Sequence, residues 1–443
     1  MKDSSCFKRP LQYYCTAGKG LEEFLVAEVR CKLAAIDVDH VTGKVFFSTS
    51  EDIEKVRGLK SAERLFLLLR RAPPLAQTGS AGRVEDVVRD QIIGQHRVWT
   101  EALSLWHQLR KGLEEAGPDP TGPGGAGRGS WSRERRVEKG LSVGAWGRGR
   151  GAGEPQPAPV CFRVCCRCTG SFARTFSSQE LGRIVGVAIS RQLGWSVNLR
   201  EPDLEVNVHL SDDHCVIGLP LLRSPLASRS YIRTTGLRST VAWAMASLAE
   251  IKPGSCVLDP MCGVGTILLE AAKECPNSSF LGMDIEESQL QKARDNVQFA
   301  ELSGRVEVIK SSVKAIPVPS ESVDAVVCDI PFGRKFGSKS DMAASLPAIV
   351  AEMERVLCVG GSLVLLLSPA LAADLKRSCR PSLPHRRTSQ ESRPSDPQHR
   401  PGGPPPSPST DLGSRPSPST DLGVPPCTPS TDLGVRPPSS SHP

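Results

Sequence analysis

Two motifs in this 443-residue chain carry residue types and spacings that could do chemistry. The first is Ser255 to Thr266, SCVLDPMCGVGT, where a short apolar strand ends at Asp259, enters a glycine-bearing turn and leads into the helical stretch ILLEAAKE. Gly263 and Gly265 let the backbone pass close to a ligand at the carboxyl end of that strand, where open α/β sheets bind cofactors. A dinucleotide fingerprint would place a further glycine at 268, but Leu268 stands there. An acid four residues before the first glycine argues against a phosphate and suits a cationic amino group. S-adenosylmethionine, with an ammonium, a sulfonium and no phosphate, meets that requirement. Asp284 ends the next strand, SFLGMD, 19 residues beyond Gly265, and is placed to accept from both ribose hydroxyls.

The second motif is Asp329-Ile330-Pro331-Phe332, after the strand SVDAVVCD and on the same rim of the sheet. The exocyclic amine of guanine is a poor nucleophile because its lone pair is delocalised into the ring. A carboxylate and a backbone carbonyl accepting from that NH2 would draw it towards tetrahedral geometry, and Phe332 would stack on the flipped base. Such catalysis rests on positioning and charge complementarity, without a covalent intermediate. The bland alternative has Asp329 capping a loop and Phe332 in the core.

The elements around these motifs form an ordered series. Residues 11–71 read as β-α-β-β-α-β, with LQYYCTAG, a helix through Phe24 and Val29, a strand pair around Thr42-Gly43, a second helix and a final apolar strand, a ferredoxin-like pattern. Residues 72–159 supply one amphipathic helix, Gln91 to Glu115, with Trp99, Leu103, Trp106 and Leu109 on a stripe, then a Gly/Arg-rich insertion expected to be disordered. Order resumes over 160–228: CFRVCCRCTG alternates like a strand, Ser178 caps a helix, and LEVNVHL and HCVIGLPLL are strands. Over 229–368 strands and helices alternate regularly, which predicts a parallel sheet covered on both faces. After Ser368 the pattern stops, and 369–443 holds Pro/Ser repeats with Ser-Thr-Asp-Leu-Gly starting at Ser409, Ser419 and Ser430, expected to be disordered.

Composition fits an intracellular protein in contact with a polyanion: net charge is +7, no run of 18 apolar residues exists, and the 15 cysteines are scattered. Cys161, Cys165, Cys166 and Cys168 lack a second ligand pair and read as structural thiols, so no metal is expected. Cys328 reads as a buried thiol, and His209 and His214 as solvent-facing.

Asp259 to Thr266 together with Asp329 to Phe332 resemble the cofactor loop and the D/N-P-P-F/Y motif of Rossmann-fold amino-methyltransferases. SYIRTTGLRSTVAWAMASLA, from Ser230, is similar to the segment joining a THUMP RNA-binding domain to such an enzyme, and YYCTAGKGLEEFLVAEV and FRVCCRCTG to LPLL resemble the ferredoxin-like and THUMP parts. The resemblance is to the THUMP-domain RNA guanosine N2-methyltransferases. It implies α/β plus α+β architecture, with a ferredoxin-like and THUMP part followed by a doubly wound Rossmann-like domain. It also implies S-adenosylmethionine held at Asp259, Pro260, Gly263, Gly265, Thr266 and Asp284, with chemistry at Asp329, Ile330, Pro331 and Phe332. Structured RNA, either tRNA or U6 small nuclear RNA, is the implied substrate, a small zinc-binding activator the implied partner, and nucleus or cytoplasm the implied compartment. Ile330 stands where the family has proline, strand three ends in Ser311 and Ser312 rather than an acid, and the last strands of the sheet are not evident after SLVLLLS. These departures keep open a second reading, an RNA-binding protein with a weak or inactive methyltransferase domain.

Overall fold

The computed structural model describes residues 9–74, 88–115, 160–175, 177–331 and 339–378. Two sheets organise them. The first contains β1 (Leu11–Thr16), β2 (Ile36–Val41), β3 (Lys44–Thr49) and β4 (Arg64–Ala72), with helices α1 (Glu22–Leu33) and α2 (Ile53–Arg57) in the ferredoxin-like sequence. A π-helical turn, Val88–Ile93, and α3 (His96–Glu115) follow. After these come β5 (Cys161–Cys168), α4 (Phe172–Thr175), α5 (Ser178–Leu193), β6 (Ser196–Val197), β7 (Leu204–Leu210) and β8 (Cys215–Pro220). The two groups of strands share one sheet, ordered β2-β3-β1-β4-β8-β7-β5-β6, because β8 pairs antiparallel with β4 from Phe66 opposite Pro220 to Ala72 opposite Cys215. Side chains from strands and helices of both groups, among them Tyr13, Leu67, Trp99, Val185 and Val206, form one core.

The expected helix from Gln91 is broken. Gly94 takes φ +59, a left-handed conformation that glycine adopts without steric penalty, and a Cβ there would meet the Arg70 guanidinium. The Trp99 indole N–H then donates to the Ile93 carbonyl at 2.7 Å, and Trp99, Trp106 and Leu113, seven apart, face the core. The cap of α5 is Ser177 rather than Ser178: its hydroxyl accepts from the Glu180 N–H at 3.1 Å, while the Ser178 hydroxyl accepts from Cys168 N–H.

His214 is buried and His209 half-buried, so neither is the solvent-facing residue expected. Their rings lie 5.3 Å apart, His214 is 7% exposed, and Lys44 Nζ lies 2.5 Å from His209 Nδ1. Lys44 belongs to β3 and His209 to β7, so a strongly curled sheet has brought non-neighbouring strands together over Tyr14, Phe46, Phe66 and Val216. Burial first, and then the Lys44 cation, depress His209 to about 3.

The second sheet consists of β9 (Cys256–Asp259), β10 (Ser279–Asp284), β11 (Val306–Lys310), β12 (Val323–Asp329) and β13 (Leu357–Leu366), all parallel, in the order β11-β10-β9-β12-β13. Helices α6 (Ser239–Leu248), α7 (Thr266–Glu274), α8 (Glu287–Phe299), α9 (Lys339–Val356) and α10 (Pro369–Ser378) connect or flank the strands. Alternation puts Val257, Ala325 and Val327 into one core and Leu258, Val326 and Cys328 into the other, the signature of a sheet covered on both faces. Cys328 is fully buried, as expected.

Regular structure does not stop at Ser368. The Ser368 carbonyl and hydroxyl accept from the Ala372 and Leu371 N–H groups, opening α10, and Leu371 and Leu375, one turn apart, pack on the core. Pro369 occupies the first turn, where its missing N–H has no intrahelical role. Among the described residues β13 is an edge strand, with Val359 92% exposed. No helix among them is long and apolar enough to cross a membrane.

Candidate active site

Adjacent strands β10, β9 and β12 end in Asp284, Asp259 and Asp329, so the parallel sheet gathers three carboxylates on its carboxyl edge. The turn between β9 and α7 depends on its glycines, with Gly263 at φ +54 and Gly265 at φ +81. Gly263 N–H donates to one Asp284 oxygen at 2.9 Å and Cys262 N–H to the Met283 carbonyl at 2.8 Å, tying the turn to β10. The other Asp284 oxygen accepts from Glu286 N–H at 2.9 Å. Each carboxylate oxygen has two lone pairs, so Asp284 retains acceptor capacity for a ligand while holding the turn.

Asp259 is 1% exposed and accepts from Met261 N–H at 3.2 Å. Burial pushes its carboxyl up to about 8, with the Asp329 and Asp284 charges acting in the same direction. Asp329 is pushed up to about 6 by burial, and its Oδ1 is buried without a hydrogen-bond partner among the described residues. A buried acceptor left unsatisfied costs about 1–3 kcal/mol. Such a cost persists where a ligand supplies the missing donor.

Ile330 turns away from this edge. It is fully buried beside Met283, Leu346 and Ile349, and its N–H donates to the Leu366 carbonyl at 3.1 Å, so its side chain is structural and only its backbone remains near Asp329. Pro331 is half-buried. Phe332 lies outside the described residues, and so does the stacking role expected of it.

A cleft of about 230 Å³ opens beside the edge, lined by Pro260, Met261, Asp284, Ile285, Ser311 and Ser312 among others. Of the residues expected to hold cofactor, Pro260 and Asp284 line it; Asp259, Gly263, Gly265 and Thr266 do not, and belong to the strand end and turn next to it in the chain. An edge of three carboxyl groups offers acceptors and no fixed cation, which disfavours a phosphate, and a cationic ligand would favour the ionised forms that burial opposes at Asp259 and Asp329. These residues fit S-adenosylmethionine.

Asn296 of α8 is fully buried and was not expected. Its Oδ1 accepts from Arg233 and Thr234 N–H groups at 3.1 and 2.9 Å, and its Nδ2 donates to the Thr234 and Val264 carbonyls at 2.8 and 2.9 Å. This amide therefore straps residues 233–234 to the glycine turn, and Thr266 Oγ1 accepts from Gly236 N–H at 3.2 Å one step further on. The signal in the sequence was a polar residue on the core-facing stripe of Leu290, Ala293 and Val297.

Residues 227–377 match the family described as RMKL-like, methyltransferase domain, and residues 153–219 match the THUMP domain. The chain is 42% identical over 397 residues to the U6 snRNA (guanine-N(2))-methyltransferase THUMPD2 of Mus musculus, across 81% of this chain and 74% of that protein. It is 25% identical over 410 residues to the tRNA (guanine(6)-N(2))-methyltransferase THUMP3 of Mus musculus, across 80% of each. The crystal structure of TrmN from Thermus thermophilus shares the fold, with a TM-score of 0.58 and 24% identity over 84% of this chain and 92% of that one. The expected architecture, a THUMP part followed by a Rossmann-like methyltransferase domain, thus holds, and the chain belongs to the THUMP-domain family of S-adenosylmethionine-dependent RNA guanine-N2-methyltransferases.

Proposed function

We propose that this chain transfers a methyl group to the exocyclic N2 of a guanosine in a structured RNA. The observation that carries the reading is Asp329: a buried, unpartnered carboxylate oxygen at the end of β12, on the same edge as the glycine turn and Asp284. S-adenosylmethionine would supply an electrophilic methyl group on a sulfonium. Asp284 and the cleft residues Pro260, Ser311 and Ser312 would hold its adenosine part, and the acidic edge at Asp259 would face its positive charge.

Asp329 Oδ1 then accepts from the guanine amine, filling its empty hydrogen-bond position and fixing the nitrogen at the edge of the sheet. The backbone beside Ile330 is held to β13 and stays rigid while the base docks. The methyl group would pass to the amine nitrogen as its bond to the sulfonium breaks and a neutral thioether is released, and the amine proton, made acidic, would leave to water or to the Asp329 carboxylate, whose raised proton affinity suits it as acceptor near neutral pH.

U6 small nuclear RNA is the first substrate to test, on the strength of the 42% relative, with tRNA as the alternative from the more distant one. An intracellular location, nuclear or cytoplasmic according to the RNA, follows from such a substrate. We also infer a small zinc-binding activator, supported by Val359 and Leu363 exposed on β13, an edge strand among the described residues.

Cofactor binding by calorimetry, with Asp284→Ala as control, comes first. Labelled methyl transfer to U6 transcript, tRNA and total RNA follows, with Asp329→Ala as control. Label in N2-methylguanosine that vanishes in Asp329→Ala supports the reading. Cofactor binding without label in any RNA, activator included, defeats it and leaves an RNA-binding protein.

A further inference from the structure

The amino-terminal lobe and the catalytic sheet meet through charges withdrawn from water. The Arg229 side chain is 3% exposed and that of Glu270, on α7, is fully buried. Arg229 Nε donates to both Glu270 oxygens at 3.0 and 3.2 Å, Nη1 donates to the Leu226 carbonyl at 2.6 Å, and Nη2 reaches the Lys60 carbonyl of the lobe at 2.6 Å. The Tyr231 hydroxyl donates to Glu270 at 2.9 Å, and its ring lies under the ammoniums of Lys60, from the lobe, and Lys273, from α7. One turn further along α7, Glu274 accepts from Lys32 of α1 at 3.1 Å, and Lys32 also pairs with the buried Glu28.

The chain then runs directly to the cofactor turn. Asn296 holds residues 233–234 against the Val264 carbonyl, and Gly236 sits so close that a Cβ would come within 2.9 Å of Val264 Cγ2. Residues 229–236 are therefore fastened to the lobe at one end and to the glycine turn at the other. The helix that Glu270 anchors starts at Thr266, the last residue of that turn. A buried ion pair is weak ground for stability, since apolar replacements of similar volume are often as stable; here the guanidinium's bonds to the Leu226 and Lys60 carbonyls orient it between the elements it joins.

We propose that the Arg229–Glu270–Tyr231 cluster is a latch that couples RNA held on the amino-terminal lobe to the cofactor turn, with Arg229, Glu270 and Asn296 as positioning residues. The inference rests on the RNA methyltransferase reading and adds to it the path by which one ligand site biases the other.

The test compares the full-length wild-type chain with Glu270→Gln, using a U6 transcript as probe. In the wild type, bound RNA slows amide hydrogen exchange at residues 229–236 and 263–266. In Glu270→Gln, RNA affinity and KM stay within about threefold, the slowing no longer reaches 263–266, and methyl transfer from saturated complexes falls about tenfold or more. A fold support role alone would not separate kcat from RNA binding in this way.

Slowing at 263–266 that persists in Glu270→Gln, or transfer within about twofold of wild type, overturns the proposal. So does wild-type RNA binding that leaves 263–266 unchanged, or no RNA binding at all. If circular dichroism shows Glu270→Gln unfolded, Tyr231→Phe keeps the ion pair and loses one hydrogen bond; about a threefold loss of transfer is then expected, and none refutes the latch. A wild type that binds RNA but methylates nothing defeats the enzymatic reading, while the exchange measurement still decides the latch.

Discussion

Replacing Asp259 by asparagine should make the protein more stable, by an amount that grows with pH. The carboxyl is 1% exposed and is pushed up to about 8 by burial and then by Asp329 and Asp284, whereas an unfolded aspartate titrates near 4. Between those values the folded chain holds a proton that the unfolded chain has released. Stability therefore falls as pH rises through this window, at a limiting slope of about 1.4 kcal/mol per pH unit. The whole window corresponds to roughly 6 kcal/mol, and water penetration and local relaxation bring the expected effect to about 2–6 kcal/mol.

Asparagine keeps the shape and the oxygen that accepts from Met261 N–H, and it carries no ionisable group. Near pH 5 the variant and the wild type should unfold at similar urea concentrations. By about pH 8 the variant's midpoint should lie roughly 1–3 M higher, for a slope of about 2 kcal/mol/M. Fluorescence of Trp243, a residue of α6 packed against Phe24 of the amino-terminal lobe, follows the transition. A midpoint difference that stays flat from about pH 5 to 8, or a variant less stable than wild type at about pH 8, refutes the account of Asp259 as a carboxyl kept protonated by burial.

The ionised form of Asp329 is the acceptor, and burial pushes its carboxyl up to about 6, so single-turnover transfer should rise with pH through about 6 and flatten above it. Asp329→Asn should lower turnover on the order of 10²-fold, with cofactor affinity within about threefold. Asn296→Ala strands two backbone N–H groups and two carbonyls and should cost about 2–4 kcal/mol in denaturant titrations while abolishing calorimetric cofactor binding. In β10, a Cβ on Gly282 would lie 2.7 Å from Leu268 Cδ1 and 3.0 Å from Cys262 Sγ, so Gly282→Ala should lose about 1–3 kcal/mol, read as a lower Tm. Burial keeps His209 neutral far below the ordinary histidine range, so its ring resonances should not titrate between about pH 7.5 and 5. In the unfolded chain it takes up a proton over that range, so acidification weakens this part of the lobe.

The resemblance and the local pattern made the catalytic edge legible. An apolar strand running into an acid, two glycines with positive φ and a helix start are all fixed within about a dozen residues, by steric rules that act on neighbours. The same holds for the alternation that sorts Val257 and Leu258 to opposite cores. Where the reading missed, either a distant partner or a subtle local choice decided. His209 and His214 are polar, and only the curl of the sheet that brings Lys44 across from β3 buries them. Leu371 and Leu375 needed the core of the second sheet before Pro369–Ser378 could be read as a helix. Between Ser177 and Ser178, adjacent and of one type, the cap is chosen by backbone geometry.

The sequence by itself determined the alternation of strands and helices around the cofactor turn, the glycine turn and the three acids at strand ends, because strand period, turn chemistry and helix starts are short-range properties. Only the tertiary structure decided the protonation of Asp259, the empty acceptor on Asp329, the inward turn of Ile330, the strap at Asn296 and the Arg229–Glu270 latch. Each of these depends on which groups far apart in the chain exclude water from one another. Burial changes the strength of every charge and hydrogen bond involved, and no local pattern encodes it.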